Sequence, residues 1–203
     1  MKPTEILSAE HRVIEQVLDC LDKLVHACGS ARRLDKEAAR DAVEFLRMFA
    51  DRCHHGKEET LLFSAMEEHG FSRQNGPVAV MLHEHDQGRM HLRAMDEAID
   101  GASGGDSAAL KNFVKHGRAY VDLLRQHIQK EDHCLFPMAE EALSAGDEKK
   151  LLAAFEKMEE KDMGAGTHEK YLQLADGLAE RLGVPRAAAP GAHGQRACGC
   201  GGH

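Results

Sequence analysis

One pattern of histidine and glutamate residues is present twice in this chain. In each copy a single histidine is followed, after 43 or 42 residues, by a His-x-x-x-Glu pair, and a Leu-Phe pair begins four residues after each glutamate. The two copies lie 73 or 74 residues apart, which indicates an internal duplication rather than two unrelated histidine-rich stretches. The six residues of the repeated pattern are His11, His54, Glu58, His85, His127 and Glu131.

The spacing within each His-x-x-x-Glu pair is that of one helical turn. Residues i and i+4 lie on one face of an α-helix, about 6 Å apart along its axis, so each pair can direct two donors at one point. Four imidazoles and two carboxylates brought together form a site for two transition-metal ions. Calcium prefers shells of oxygen atoms and iron–sulfur clusters need thiolates, so this donor set favours iron, manganese or zinc.

The apolar residues around these donors recur in steps of three and four, which predicts helices. The chain has no tryptophan and only 4% aromatic residues, which agrees with an all-α fold. Short connections between consecutive helices predict an up-down-up-down four-helix bundle. We expect Pro137 to kink or break the fourth helix after Phe136. The predicted helices cover residues 4–26, 35–70, 76–101 and 106–145.

All six donors occupy positions where the helical pattern calls for apolar side chains, so we expect them to be buried. An isolated buried carboxylate is unfavourable enough to change its protonation or to require a partner. A metal ion supplies that partner.

The chain is predicted to have three regions. Residues 1–145 form the metal-binding bundle. Residues 146–183 form one or two additional helices, the first capped by Asp147, whose apolar stripes pack on the bundle. Residues 184–203 are rich in alanine, proline and glycine and are predicted to be a flexible tail.

Charge and hydropathy restrict the partners. The formal net charge is −8 at pH 7, so the chain has no basic surplus for phosphate groups and nucleic acid is not an expected partner. No apolar run approaches the roughly 20 residues that span a bilayer, so no membrane partner is expected. The first residues lack the apolar core of a secretory signal, and we expect a cytoplasmic protein. The sequence does not indicate an oligomeric state.

The chain has six cysteines. Two of them, Cys198 and Cys200, lie in the tail near histidines, where they either hold a soft metal ion, oxidise reversibly or have no function. The other four are not spaced like zinc ligands and are expected to be packing residues in a reducing cytosol, namely Cys20, Cys28, Cys53 and Cys134.

The paired motifs resemble those of the hemerythrin-like (HHE cation-binding) family over roughly residues 5–145. The resemblance rests on both His-x-x-x-Glu pairs, on the Leu-Phe pair after each, and on Pro137 after the second. It implies two Fe ions joined by an oxo or hydroxo bridge, with Mn or Zn as possible substitutes. It also implies a ligand set in which each iron has two histidines and both glutamates bridge: His11 and His54, then His85 and His127, with Glu58 and Glu131 between them.

The chain departs from the respiratory hemerythrins at two points. Those proteins have a second histidine four residues after the third-helix ligand, where this chain has Arg89. They also have aspartate in place of the last glutamate, at a different spacing. One imidazole fewer leaves a more open and more symmetric pair of metals, which argues against reversible oxygen carriage.

Several further residues leave alternatives open. His55 is expected either at the rim of the site or beside the ligands without binding the metals, because it lies about 100° from His54 on a helix. Tyr120 is a core residue, a hydrogen-bond donor near the metals or a redox-active phenol. Gly88 either leaves room for a ligand or allows close helix packing. His168 is either a surface residue or a further ligand.

Other polar residues near the motifs are expected to have no direct part in metal binding. Glu10 and Glu84 each precede one of the single histidines and are expected on helix surfaces. His83 and His91 do not share the face of His85 and are expected to be solvated.

Three classes of function are compatible with this reading. The first is a non-haem di-iron protein that binds O₂, NO or peroxide in sensing, scavenging or iron handling. The second is a di-iron enzyme that disproportionates peroxide or activates O₂. The third is an interaction module that metal binding orders.

Overall fold

The computed structural model describes residues 1–31, 33–160 and 166–187, and four helical rods dominate it. The first rod is α1 (Pro3–Ala31) and the third is α4 (Gly76–Gly104). The second rod consists of α2 (Lys36–Phe45), two π-helical segments (Leu46–His55 and Glu58–Leu62) and α3 (Phe63–Glu68). The fourth consists of α5 (Ser107–Lys130), a π-helical segment (Glu131–Leu135) and α6 (Phe136–Ala142).

The rods form an up-down-up-down bundle, and no β-strand occurs among the described residues, which confirms the predicted all-α fold. Local sequence signals position the turns between rods. Asp35 caps α2 by accepting a hydrogen bond from the backbone of Ala38, and Asp106 caps α5 in the same way. Gly105 ends α4 with a φ of 94°, a left-handed conformation that glycine adopts without strain.

The bundle interior has two hydrophobic cores separated by a polar layer. The larger core contains Leu18, Phe45 and Phe113, and the smaller one contains Leu7 and Phe63 at the other end of the rods. Along α1, for example, His11 lies between Leu7 of the smaller core and Ile14 of the larger one. The same alternation occurs in the other rods, so the motif residues lie at one level.

The π-helical segments were not predicted, and they correct the expectation for Pro137. We expected a kink or break after Phe136, but the irregular turn is Glu131–Leu135, which precedes it. The regular helix begins again at Phe136, with Pro137 in its first turn. The rod is helical on both sides of Pro137, and the wide turn directly before it accommodates a residue that has no N–H donor and whose ring crowds the preceding turn.

Two further helices, α7 (Ala145–Met158) and α8 (Thr167–Leu182), follow the bundle. Ser144, not Asp147, is the N-cap of α7, and Asp147 completes a capping box three residues later. Both helices bury residues against the bundle, as the apolar stripes predicted: Leu151 and Phe155 from α7, and Tyr171, Ala175, Leu178 and Ala179 from α8. The division into three regions remains a prediction.

The predicted tail is only partly described. Val184, at its start, is buried in the larger core, so the first residue of this segment is packed. Cys198 and Cys200 lie outside the described residues. In the part of the chain that is described, no helix combines the length and apolar character needed to cross a membrane.

Candidate metal centre

The polar layer contains all six residues of the repeated motif, drawn from all four rods. Each of the six residues is at most 1% exposed. Their donor atoms, together with one of His55, form two groups, in each of which the atoms lie within 4.8 Å of one another. One group contains His11, His54, Glu58 and Glu131, and the other contains His55, Glu58, His85 and His127.

The four motif histidines form two pairs. The Nε2 atoms of His11 and His54 are 3.0 Å apart, and those of His85 and His127 are 3.1 Å apart. Each pair joins the single histidine of one copy to the histidine of the His-x-x-x-Glu pair in the same copy. The sequence duplication therefore appears in space as two equivalent nitrogen pairs.

Each carboxylate lies between the two histidine pairs. Glu131 places one oxygen 3.2 Å from Nε2 of His127 and the other 3.2 Å from Nε2 of His11. Glu58 lies 3.4 Å from His54 and 3.5 Å from His85 through its two oxygens. Both glutamates are therefore positioned to contact whatever each pair holds.

The chemistry of this layer suits cations. None of the four carboxylate oxygens of Glu58 and Glu131 has a hydrogen-bond partner among the described residues, although all are buried. Burial raises the pKa of Glu58 well above its usual value, and repulsion from Glu131 adds to this. Burial opposes ionisation of Glu131 too, but the imidazoles of His127 and His11 outweigh it and hold its pKa well below the usual range. Cations between the histidine pairs satisfy all four oxygens, so the residues fit metal ions.

Each motif histidine directs Nε2 into the centre and Nδ1 toward a carboxylate outside it. A carboxylate that accepts a hydrogen bond from Nδ1–H fixes the ring and leaves the Nε2 lone pair free for a metal ion. The four distances are 2.8 Å for His11 and Asp132, 2.9 Å for His54 and Glu10, 2.7 Å for His85 and Glu59, and 2.9 Å for His127 and Glu84.

The expectation that Glu10 and Glu84 lie on helix surfaces is therefore wrong. Glu10 is 5% exposed, and Glu84 is only partly exposed. Burial acts to raise the pKa of Glu10, but its contacts with His54 and Lys57 outweigh this and lower the pKa to about 2. The sequence signal was the recurrence of Glu-His in both copies, which by itself indicated a partnership on the helix surface rather than coordination.

A basic side chain pairs with each of these outer carboxylates. The pairs are Lys57 with Glu10, Lys130 with Glu84, Arg12 with Asp132, and Arg89 with Glu59. Arg89 also donates to Asp51 at 2.8 Å. Arg89, which stands where the respiratory hemerythrins have a second histidine, therefore binds carboxylates outside the centre. Each motif histidine thus contacts a carboxylate outside the centre, and that carboxylate contacts a basic side chain.

Of the two positions considered for His55, the structure places it beside the motif histidines and not at the rim. It is 3% exposed, and its ring stacks on that of His85 with centroids 3.8 Å apart and planes 13° apart. The rim prediction assumed α-helical geometry, whereas Leu46–His55 is π-helical and turns less per residue, which brings both His54 and His55 inward. Burial, with His127 and His54 nearby, lowers the pKa of His55 well below its usual value, so the ring is neutral.

The remaining candidates lie around the centre. Tyr120 is buried and its hydroxyl has no hydrogen-bond partner among the described residues. A Cβ at Gly88 would lie 3.5 Å from the Tyr120 ring, an ordinary van der Waals contact, so Gly88 lies next to this ring. His168 contacts Phe49, with ring centroids 5.4 Å apart. His83 is exposed as expected, whereas His91 is partly buried and pairs with His116.

Of the four cysteines expected in the core, three are buried. Cys20, Cys28 and Cys53 are buried, and burial raises the pKa of Cys20 and of Cys53 to about 12. Cys134 is exposed, so the packing role expected for it is wrong. It lies in the π-helical segment Glu131–Leu135, where the α-helical pattern no longer gives the inward positions.

Comparison with known proteins agrees with this geometry. The family described as "Hemerythrin HHE cation binding domain" matches residues 2–139. The chain belongs to this family. It is accordingly a hemerythrin-like metal-binding protein, and the match ends near the last turn of the fourth rod.

Relatives of this hemerythrin-like protein include uncharacterised proteins of Mycobacterium tuberculosis and Mycobacterium bovis. Each is 21% identical over 180 residues, which cover 89% of this chain and 70% of the relative. The iron–sulfur cluster repair protein YtfE of Dickeya chrysanthemi is 30% identical over 88 residues, or 42% of this chain and 40% of that protein. No solved structure matches the chain.

Proposed function

We propose that this hemerythrin-like protein binds two iron ions in the centre and takes up O₂, NO or peroxide there, in sensing or scavenging. His11 and His54 would hold one ion and His85 and His127 the other, while Glu58 and Glu131 bridge the two.

One observation carries the proposal: two histidine pairs, with Nε2 atoms 3.0 and 3.1 Å apart, share two carboxylates. Nitrogen atoms at this separation suit adjacent positions around one ion, since metal–nitrogen bonds are about 2.0–2.1 Å. A single ion would leave one pair and two carboxylate oxygens without a partner. Mixed nitrogen and oxygen donors favour iron over calcium or magnesium.

Iron supplies redox chemistry and coordination positions that the protein donors leave open. The residues of the chain supply rigid geometry. Glu10, Glu59, Glu84 and Asp132 hold the imidazoles in one orientation, and the hydrophobic cores above and below exclude water. A buried, preorganised site of this kind suits a small uncharged molecule such as O₂, NO or H₂O₂ better than a large substrate.

The site is tested by metal analysis of protein purified without added metal. We expect about two irons per chain, with charge-transfer bands in the optical spectrum recorded in air. His54→Ala is expected to lose mainly the iron held with His11, because its Nε2 is one of the two nitrogens of that position, and the exposed His83→Ala should retain both ions. Equal loss from both variants would contradict the ligand assignment.

The reaction is tested separately from the site. A reversible change of the visible spectrum with O₂ or NO, without turnover, supports binding. Rapid gas evolution from peroxide supports the enzyme alternative instead. Metal-dependent stability with neither response supports the interaction module.

A second candidate function is iron handling in iron–sulfur cluster repair. The observation that favours it is the name of the Dickeya relative, an iron–sulfur cluster repair protein, with which this chain shares a segment of 88 residues. If the iron serves repair, the loaded protein should transfer iron to an apo iron–sulfur protein in the presence of a thiol reductant. Retention of all iron by the loaded protein under these conditions would exclude this role.

A further inference from the structure

His55 is a fifth imidazole in the centre, and the two copies of the motif differ at this position. His54 is followed by His55, whereas the equivalent His127 is followed by Ile128, which is also buried. The half of the centre that contains His85 and His127 therefore has an additional polar group. The half that contains His11 and His54 has no equivalent polar group, because Ile128 stands in the second copy at the position of His55.

The outer contacts of His55 repeat those of the four motif histidines. Its Nδ1 lies 3.4 Å from a carboxylate oxygen of Asp51, and Asp51 accepts a hydrogen bond of 2.8 Å from Arg89. This is again a histidine–carboxylate–cation series. With Nδ1 directed at Asp51, the nitrogen left for the centre is Nε2, and His55 lies in one group of possible donors with Glu58, His85 and His127.

The stacking of His55 on His85 decides between two roles for this nitrogen. A metal ion lies in the plane of the imidazole that binds it, along the nitrogen lone pair. Two rings whose planes are only 13° apart, stacked with centroids at 3.8 Å, cannot both contain the same ion in their planes. If Nε2 of His85 binds an ion, that ion lies outside the plane of the His55 ring, and His55 does not bind it.

We propose that His55 accepts a hydrogen bond from a protic small ligand, hydrogen peroxide or water, taken up beside His85 and His127. The inference rests on the proposed function and assigns the ligand to one half of the centre. An imidazole whose Nδ1–H donates to Asp51 offers Nε2 as an acceptor only. H₂O₂ can donate to it, whereas O₂ and NO have no proton to donate, so this position favours peroxide.

Two variants test this role. His55→Ile copies the second repeat and removes the acceptor, and His55→Gln keeps an acceptor oxygen. We expect both variants to bind as much iron as the unchanged protein. We expect His55→Ile to lower the rate constant for oxidation of the ferrous protein by H₂O₂ by about threefold to tenfold, the range of one hydrogen bond, and His55→Gln to recover part of it. The dissociation constant for NO should stay unchanged.

NMR spectroscopy measures whether Nε2 of His55 binds a metal ion or a proton, without any reaction. In the zinc-loaded protein, the ¹⁵N signal of His55 Nε2 should fall in the range of an unprotonated, metal-free imidazole, while the four motif histidines show metal-bound Nε2. A metal-bound signal for His55, or loss of an ion from His55→Ile, would overturn the proposal. The proposal would also be overturned if His55→Ile weakened NO binding by the same factor by which it slowed oxidation by H₂O₂. Failure of the unchanged protein to bind metal would instead refute the proposed function.

Discussion

Glu131→Ala is expected to empty both metal positions, whereas loss of one histidine empties mainly one. Glu131 lies 3.2 Å from His127 through one oxygen and 3.2 Å from His11 through the other, so its removal takes a donor from each position. Removing a hydrogen-bond partner of a metal ligand already lowers affinity by about 10- to 100-fold, and we expect a larger loss here for both ions. His85→Ala removes a donor from one position only. Iron analysis after gel filtration measures the difference.

The metal-free Glu131→Ala protein should remain folded. The variant loses the contacts of Glu131 with His127 and His11, but both hydrophobic cores of the bundle are unchanged and keep the rods packed. Circular dichroism of the metal-free variant checks this. Glu141→Ala, on the exposed side of α6, is the matched control and should bind iron normally. Iron retention in Glu131→Ala equal to that in His85→Ala would contradict the bridging arrangement.

The donor set was predictable from the sequence because it obeys two periodicities at once. His54 and Glu58 have the spacing of one helical turn and also fall in the apolar stripe of their rod. A charged residue in such a stripe needs a partner, and the second copy of the motif supplies an equivalent set. Burial and proximity of the six residues follow from these facts without knowledge of side-chain detail.

The outer contacts and His55 were not predictable in the same way. Glu10 follows no apolar stripe, and its place beside His54 depends on the angle at which two rods pack. His55 became an inner residue because the rod is π-helical from Leu46 to His55, and no glycine or proline marks that segment in the sequence. Helical periodicity locates residues relative to one helix axis, so it fails where the turn is wide and where partners come from another rod.

The second large effect is expected at Lys57, whose environment differs from that of its counterpart Lys130. Lys57 is fully buried: its ammonium contacts Glu10 and lies 2.5 Å from Glu159, and Phe155 of α7 covers it. Lys57→Met keeps most of the apolar stem but leaves Glu10 buried without its cation. Removal of one partner from a buried ion pair costs about 3–5 kcal/mol. Urea unfolding of the metal-free protein measures this change in the free energy of unfolding.

Lys130→Met is the matched control within the same chain. Lys130 pairs with Glu84 as Lys57 pairs with Glu10, but its side chain is 42% exposed. Pairs at this level of exposure contribute about 1 kcal/mol or less, so the two equivalent substitutions should differ by several-fold in their effect. Equal effects would mean that α7 does not shield Lys57 from water.

The cause of the Lys57 effect can be isolated with a second substitution. If the loss comes from the uncompensated charge of Glu10, then Glu10→Gln added to Lys57→Met should recover part of the stability, because no charge then remains buried. If it comes from packing against Phe155, the double variant should be no more stable than Lys57→Met alone. Since Glu10 also orients His54, the recovered protein should still bind iron more weakly, by about 10- to 100-fold. Stability and metal affinity would then change in opposite directions at one residue, which is the result expected of a carboxylate that is kept buried in order to position a ligand.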